Sequence, residues 1–439
     1  MVNWTELPDL AAVGLLAGAF ASVARRNLTH ISKTWLIGWL MVAAHFGVLL
    51  FQDAPGIWGV FSVVFGMAAL VWAGLLFMWA SVPYRKERSS RWILAALLVA
   101  NTLYISLLVV SPYTGWSLDL SAGLLGIAPL AIALSSGERL QSPLRWTLIA
   151  LYCSLSVFLL IIHHLPGNGP DLALEAVLCT VYLGCCIHFW YAYRRATAGA
   201  FITIAGFLAW SAVFVVGPLM QIYRPLVHVD PEVWNLPKYL VALGMILLLL
   251  EDQIEHNKYL ALHDELTKLP NRRLFQDRLA NALERARRTG SQTVLLLIDL
   301  DRFKQVNDTL GHHVGDQVLQ RVAGILTDRT RCSDTVARTG GDEFSIILNE
   351  AASREDADRV SRSVMRLLEQ PFELNGETVK IGASVGIAVF PEDASAMESL
   401  CVMADVRMYA DKQTARNRRR VESMQPALPL PFPAVKAQT

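Results

Sequence analysis

The sequence predicts a multi-pass α-helical membrane bundle followed by a separate α+β domain. Three observations carry that expectation. The chain of 439 residues is 53% hydrophobic and only 18% charged, more apolar than an ordinary soluble protein. Residues 1–250 gather the apolar side chains into runs of mostly 17–24 residues, the length that crosses bilayer hydrocarbon as helix. From about residue 251 the charge density rises and the apolar runs shorten.

Taken in order, spans are expected near 8–24, 34–52, 57–81, 92–111, 116–135, 145–163, 171–193, 199–220 and 233–250. The first and fifth are the weakest, the fifth because Asp119 lies near its start. Loop charge tests the count, because cytoplasmic loops concentrate Lys and Arg. With the N-terminus outside, the inner loops hold Arg25, Arg26, Lys33, Arg85, Lys86, Arg88, Arg91, Arg139, Arg145, Arg194 and Arg195, and the outer loops only Arg224 and Lys238. Eleven against two supports nine spans with the C-terminal domain in the cytoplasm. The opening is not read as a cleaved signal peptide, since Glu6 and Asp9 precede the apolar run and Arg25-Arg26 follow it. His45, Asn101, Glu175 and His188 fall within spans, where a polar group is either glue between helices or part of a sensing pocket. The six cysteines show no paired spacing, so neither a disulfide framework nor a zinc site is indicated. The net charge of +1 says little, because opposing regions can cancel.

Residues 251–263 continue the last span as a helical stalk, with Leu250, Ile254, Asn257 and Ala261 at 4-3-4 spacing. Beyond it, 293–300 (TVLLLIDL) reads as a buried strand, 335–348 (TVARTGGDEFSIIL) as a hairpin and 379–391 as a further strand. The pair Gly340-Gly341 is placed at the hairpin turn, where glycine supplies positive φ. Amphipathic helices are expected over 271–288, 305–329 with a break at Gly311, 354–369 and 396–417. Strands with helices around them give an α+β layer domain. Residues 423–439 are proline-rich and read as a tail without fixed structure.

Two acidic groups call for an explanation. The apolar strand ends on Asp299 and Asp301 rather than a plain turn, with Lys304, Asn307 and Asp308 following, and the hairpin tip carries Asp342 and Glu343. Carboxylates brought together from a strand end and a hairpin tip repel one another unless a cation sits between them. Oxygen ligands suit Mg²⁺, which completes its shell with water and substrate phosphate. A neighbouring lysine would neutralise charge developing on a transferred phosphoryl group. The pattern thus permits metal-assisted phosphoryl or nucleotidyl transfer, though a hairpin tip with solvated acids uses the same letters.

Residues 260–420 resemble the GGDEF domain of diguanylate cyclases, which is similar to polymerase palms and class III nucleotide cyclases. The resemblance rests on DELTKLPNRR (264–273), IDLDRFKQVND (298–308), GHHVGD (311–316), RCSDTVARTGGDEF (331–344), ASVGIAVFP (383–391) and DVRMYADKQTARN (405–417), six motifs in order. It implies a nucleotide-cyclase-like α+β domain over 264–422 that joins two GTP into cyclic di-GMP with release of two pyrophosphates. Position by position, it implies that Asp299, Asp342 and the Leu300 carbonyl hold Mg²⁺ or Mn²⁺. Asp342 would accept the proton of the attacking 3′-hydroxyl, Glu343 would assist the metals, and Lys304 would stabilise the transition state. Asn307 and Asp316 would read the guanine edge, His312 would lie along the nucleotide, and Lys412 and Arg416 would hold the triphosphate. Gly340 and Gly341 would leave room for backbone to approach phosphate. Arg331 and Asp334 form the RxxD of an inhibitory site for cyclic di-GMP; the plain alternative is a surface ion pair. Lys268 departs from the resemblance, standing where the family has glycine.

One such domain holds one GTP, so the resemblance implies a homodimer with two-fold symmetry. The partners expected are GTP, cyclic di-GMP and membrane lipid, with no nucleic acid, and the location expected is the inner membrane with the catalytic domain in the cytoplasm. Two rivals stay open at this level: a catalytically inactive GGDEF receptor for cyclic di-GMP, and a transporter with a regulatory cytosolic domain.

Overall fold

The structure is a computed structural model that describes the chain except residues 1–2, 27–29, 82–87, 111–114, 136–142, 165–168, 194–196, 223–230, 350–353, 375–376 and 425–439. The proline-rich tail from residue 425 onward, and the loop charges Arg85, Lys86, Arg139, Arg194, Arg195 and Arg224, lie outside the described residues. The chain divides into two compact units, Met1–Glu255 and His256–Thr439.

The first unit consists of long helices. They are α1 (Leu7–Arg26), α2 (His30–Leu49), α3 (Ile57–Ser81), α4 (Arg88–Val110), α5 (Trp116–Ser135), α6 (Pro143–Ile162), α7 (Gly169–Ala192), α8 (Ala198–Ile222) and α9 (Leu236–Leu262), the last running across the unit boundary. Nine spans among the described residues are long and apolar enough to cross a membrane. A long apolar helix is therefore present at each of the nine expected positions, including the two weakest. Aromatic rings fill the bundle: Tyr182 stacks on Trp210 at 3.9 Å, and Phe207 lies against Phe77 and Phe189.

The polar groups of these apolar helices are mostly satisfied within the bundle. His45 Nδ1 lies 2.8 Å from the Gly66 carbonyl, Asn101 Nδ2 donates to the Leu97 carbonyl at 2.7 Å, and His188 Nδ1 lies 2.8 Å from the Gly184 carbonyl. Asp119, the residue that weakened the fifth span, meets His163 Nδ1 at 3.0 Å, and Tyr104 meets the other ring nitrogen at 2.8 Å. That chain ties α4, α5 and the residue just past α6 together. Glu175 has no such partner among the described residues.

The second unit wraps helices on a four-stranded antiparallel sheet. Its elements are α10 (Arg272–Thr289), β1 (Thr293–Asp301), α11 (Phe303–Leu310), α12 (His312–Asp328), β2 (Thr335–Arg338), β3 (Glu343–Leu348), α13 (Arg354–Leu368), β4 (Phe372–Leu374), β5 (Glu377–Val379), β6 (Gly382–Phe390) and α14 (Met397–Met424). The strand order is β2-β3-β1-β6, with β4-β5 a separate hairpin. The two-residue period of β1 decides what lies on each face. Val294, Leu296, Ile298 and Leu300 join a core with α12 and α13, while Leu295 turns to α10 and α14. The strand is hydrophobic throughout because both faces are covered.

One expectation is corrected and another is met. The strand expected over 379–391 is two elements: β6 begins at Gly382, and Val379 pairs instead with Phe372 in the small hairpin. Helix 305–329 is broken at Gly311 as expected, where φ is 85°, a conformation that favours glycine.

Candidate functional site

The strand end and the hairpin tip are neighbours. Strand β1 lies between β3 and β6, with Asp299 opposite Glu343 on one side and Ser384 on the other. The Leu300 N–H donates to the Asp342 carbonyl at 3.1 Å, so the tip is stitched to the residue after Asp299. Asp299 and Asp301 are buried, Asp342 is half-buried, and Glu343 is exposed. Asp301 accepts a hydrogen bond from Ser384 Oγ at 2.9 Å, which gives it a structural partner on β6.

From the other side α14 brings Lys412, whose Nζ lies 2.6 Å from Asp299 Oδ1. The hydrogen bond to Asp299, with the charges of Asp299, Asp342 and Asp301, holds the Lys412 ammonium above the usual lysine range. Three carboxylates thus act on one cation position. Carboxylates from β1 and the tip plus a main-chain carbonyl are the donor set that a hard divalent ion takes, so the residues present fit Mg²⁺ or Mn²⁺. Among the described residues no group of three His, Cys, Asp or Glu could by itself hold a metal ion.

Other site residues line the corner between α11 and α12. Lys304 is exposed in the first turn of α11, with no ion pair among the described residues. Asn307 is half-buried, and its side chain fills the space a Cβ on Gly315 would need. A side chain at position 315 would displace Asn307, so Gly315 lets Asn307 sit where α12 passes α11, a role not assigned from sequence. His312 and Asp316, in the first turns of α12, are exposed. Arg416 is exposed on α14, one turn beyond Lys412.

The tip itself corrects one expectation. Neither Gly340 nor Gly341 takes the left-handed conformation; in this unit Gly290, Gly311, Lys268 and Arg302 do. The turn closes instead through the Glu343 carbonyl, which accepts from Thr339 N at 3.0 Å and Gly340 N at 3.3 Å. A Cβ on Gly341 would meet no atom within 4 Å. Open space there agrees with a surface kept clear for close approach, and not with turn strain.

Two positioning residues were missed. Arg338 Nη1 bridges both carboxylate oxygens of Asp264 at 3.0 and 3.1 Å, while its Nη2 donates to the Gly341 carbonyl at 2.7 Å. Burial pushes the Asp264 carboxyl up, but hydrogen bonds from Thr267 and Arg338 outweigh it and hold the group below its ordinary value. The segment that opens the domain is thereby tied to the tip. Both residues sit inside motifs quoted above, so the only available signal was their motif membership. Lys268, in that opening segment, keeps φ of 60° without glycine's freedom.

The RxxD pair is not a side-chain ion pair. Asp334 accepts the Arg331 main-chain N–H at 2.9 Å and the Asn349 N–H at 3.1 Å, which leaves the Arg331 side chain exposed.

Comparison with known proteins gives this geometry its context. The family described as diguanylate cyclase, GGDEF domain, matches residues 261–418. The bifunctional diguanylate cyclase/cyclic di-GMP phosphodiesterase MucR of Pseudomonas aeruginosa is 29% identical over 391 residues, covering 82% of this chain and 54% of MucR. Diguanylate cyclase TpbB of the same species is 42% identical over 176 residues, 40% of each chain. The chain thus spans about half or less of the length of these relatives. Among solved structures, the GGDEF domain of TpbB is 40% identical, covering 37% of this chain and 99% of that one, with a TM-score of 0.34. The coiled coil and GGDEF domain of DgcB from Caulobacter crescentus, in complex with c-di-GMP, is 28% identical over 42% of this chain and 97% of that one, with a TM-score of 0.39. The chain carries, behind an N-terminal region of long apolar helices, a GGDEF domain homologous to those of diguanylate cyclases.

Proposed function

We propose that this protein is a membrane-anchored diguanylate cyclase that condenses two GTP into cyclic di-GMP on the cytoplasmic side of the inner membrane. The observation that carries the reading is the convergence on one cation position of Asp299, Asp342 and Lys412, drawn from a strand end, a hairpin tip and a helix. A fold alone would not require that meeting.

Asp299, Asp342 and the Leu300 carbonyl would hold Mg²⁺ or Mn²⁺, which when bound neutralises phosphate charge and activates the attacking oxygen. Asp342 takes the proton of the 3′-hydroxyl. That oxygen forms a bond to the α-phosphorus of the other nucleotide, and the bond to pyrophosphate breaks. The same exchange in the opposite sense closes the ring. Lys304 acts on the charge of the reacting phosphate and Glu343 would assist the metals, while Lys412 and Arg416 hold the triphosphate. Lys412 then exchanges a carboxylate partner for a phosphate one. Asp316 accepts from the guanine N1–H and exocyclic amine, Asn307 bonds to the same edge, and His312 flanks it. Gly340 and Gly341 admit the phosphates. One chain supplies half of the reacting pair, so the active species is a homodimer. Arg331 and Asp334 form the product site, with the exposed guanidinium free to meet guanine or phosphate.

The purified full chain, given Mg²⁺ and GTP, is expected to yield cyclic di-GMP and pyrophosphate by chromatography. Asp342→Ala is expected to lower turnover at least about a hundredfold, and Arg331→Ala to keep turnover while losing inhibition by added product. A dimeric wild-type sample that binds cyclic di-GMP but makes none would replace this reading with a receptor.

A further inference from the structure

The membrane unit contains a cavity that the cyclase chemistry does not use. Its volume is about 1330 Å³, and it lies among α3, α6, α7, α8 and the turn at Pro231–Asn235. That is larger than the ~300–1,000 Å³ of most small-molecule sites. The wall is mainly aliphatic, with rings from Phe158, Phe214 and Trp234. Two carboxylates interrupt it, four residues apart on α7 and so on one face: Asp171, exposed in the first turn of the helix, and Glu175, half-buried one turn on. No Lys, Arg or His is among the described residues that line it. Neither acid has a hydrogen bond or ion pair among the described residues.

An ionisable group inside a membrane helix is costly unless it faces a cavity or meets an opposite charge. Here two like charges share one cavity wall, and each raises the cost of the other. An anion would be repelled. A neutral apolar guest would leave both carboxylates unpaired against an apolar wall. A bare divalent ion needs about six oxygen ligands, and the described wall offers two acids beside apolar groups. One class of guest meets both features.

We propose that this cavity binds an organic cation with an apolar body. Its ammonium group lies at Asp171 and Glu175, where Trp234 adds the face of a ring to the charge pair. Its apolar body runs along Phe158 and Phe214. This site is independent of the cyclase reading, and its test does not use turnover.

The full chain in lipid nanodiscs is titrated calorimetrically with 3-phenylpropylammonium, 3-phenylpropanol and 3-phenylpropionate, three probes with one body and different head charge. Saturable binding is expected for the cation alone. Glu175→Gln is expected to weaken it at least about tenfold with size-exclusion profile and melting temperature unchanged. Ser154→Trp, which sets a bulky ring on the cavity wall without altering charge, is expected to weaken it at least about tenfold. If Glu175→Gln fails to fold, Asp171→Asn and Ser154→Trp make the same comparison. Equal binding of the alcohol and the cation, unchanged cation affinity in the folded acid-to-amide variants, or no saturable cation binding to the folded wild type each overturns the proposal.

Discussion

At the scale of single residues, the candidate site depends on a contact that no local pattern encodes. Asp264 and Arg338 are 74 positions apart, yet together they fix the carbonyl of Gly341 and hence the aim of Asp342. Reacting groups displaced by an ångström lose much of the benefit of positioning. Arg338→Ala is expected to cut kcat about tenfold or more with little change in KM for GTP, and Arg338→Lys to restore part of it. Steady-state kinetics beside a urea melt separates this from plain destabilisation. Lys268 gives a smaller test. A non-glycine residue at positive φ costs about 1–2 kcal/mol, partly offset because glycine is more disordered in the unfolded chain. Lys268→Gly is expected to raise stability by less than about 1 kcal/mol and leave turnover unchanged. The acids of β1 and the tip stood out because they are the wrong residues to end a buried strand or a plain turn, whereas Lys412 came only with the family resemblance. Arg338 and Asp264 were not, because an arginine beside an acid-rich tip reads equally well as solvated charge.

At the scale of elements, the seating of α14 on β6 governs where Lys412 sits. Strand β6 ends the sheet, and the groups on its free side are met by side chains. Val385 N donates to Asp411 at 3.0 Å, Arg407 donates to the Ile387 carbonyl at 2.7 Å, and Val389 N donates to Asp393 at 2.8 Å. Arg407 also grips Asp393 through two bonds of 2.6 and 2.8 Å, and Arg354 adds a third of 2.6 Å. The bond from Arg407, helped by Val389 N and Arg354, holds the Asp393 carboxyl far below its ordinary value. Its contribution is therefore complete above the ordinary Asp range near pH 4 and is lost as pH falls through the depressed native value. Asp264 acts in the same sense. The GGDEF domain is expected to lose stability progressively below about pH 4, and Asp393→Asn to flatten that slope while lowering stability at neutral pH by about 2 kcal/mol. Urea midpoints across pH check both. Gly386 allows the closest approach, since a Cβ there would collide with the Ala404 carbonyl and come within 2.5 Å of Met408 N. Gly386→Ala is expected to cost about 3 kcal/mol and to lower GTP turnover by shifting Lys412. Periodicity placed β1, β3 and α14, but the β4-β5 hairpin was hidden. Strands of three residues are shorter than any period can reveal.

At the scale of the whole molecule, the helical half was the more legible, because a bilayer allows few solutions for an apolar run of that length. What the runs could not give was the use of their polar members. His45 and His188 close onto main-chain carbonyls, whereas Glu175 opens on a cavity, and all look alike as letters. If two chains must meet for each ring closed, turnover per chain is expected to rise with chain density in proteoliposomes and to level off once pairs predominate. A density-independent rate would mean a stable pair that forms before substrate arrives. The capped side of β6 bears on this choice. With Asp411, Arg407 and Asp393 already holding its outward amides and carbonyl, that border cannot zip onto a neighbouring copy as a continuous ribbon. Partners approaching from there would have only side chains and bound nucleotides with which to recognise each other, which favours brief encounters over permanent union.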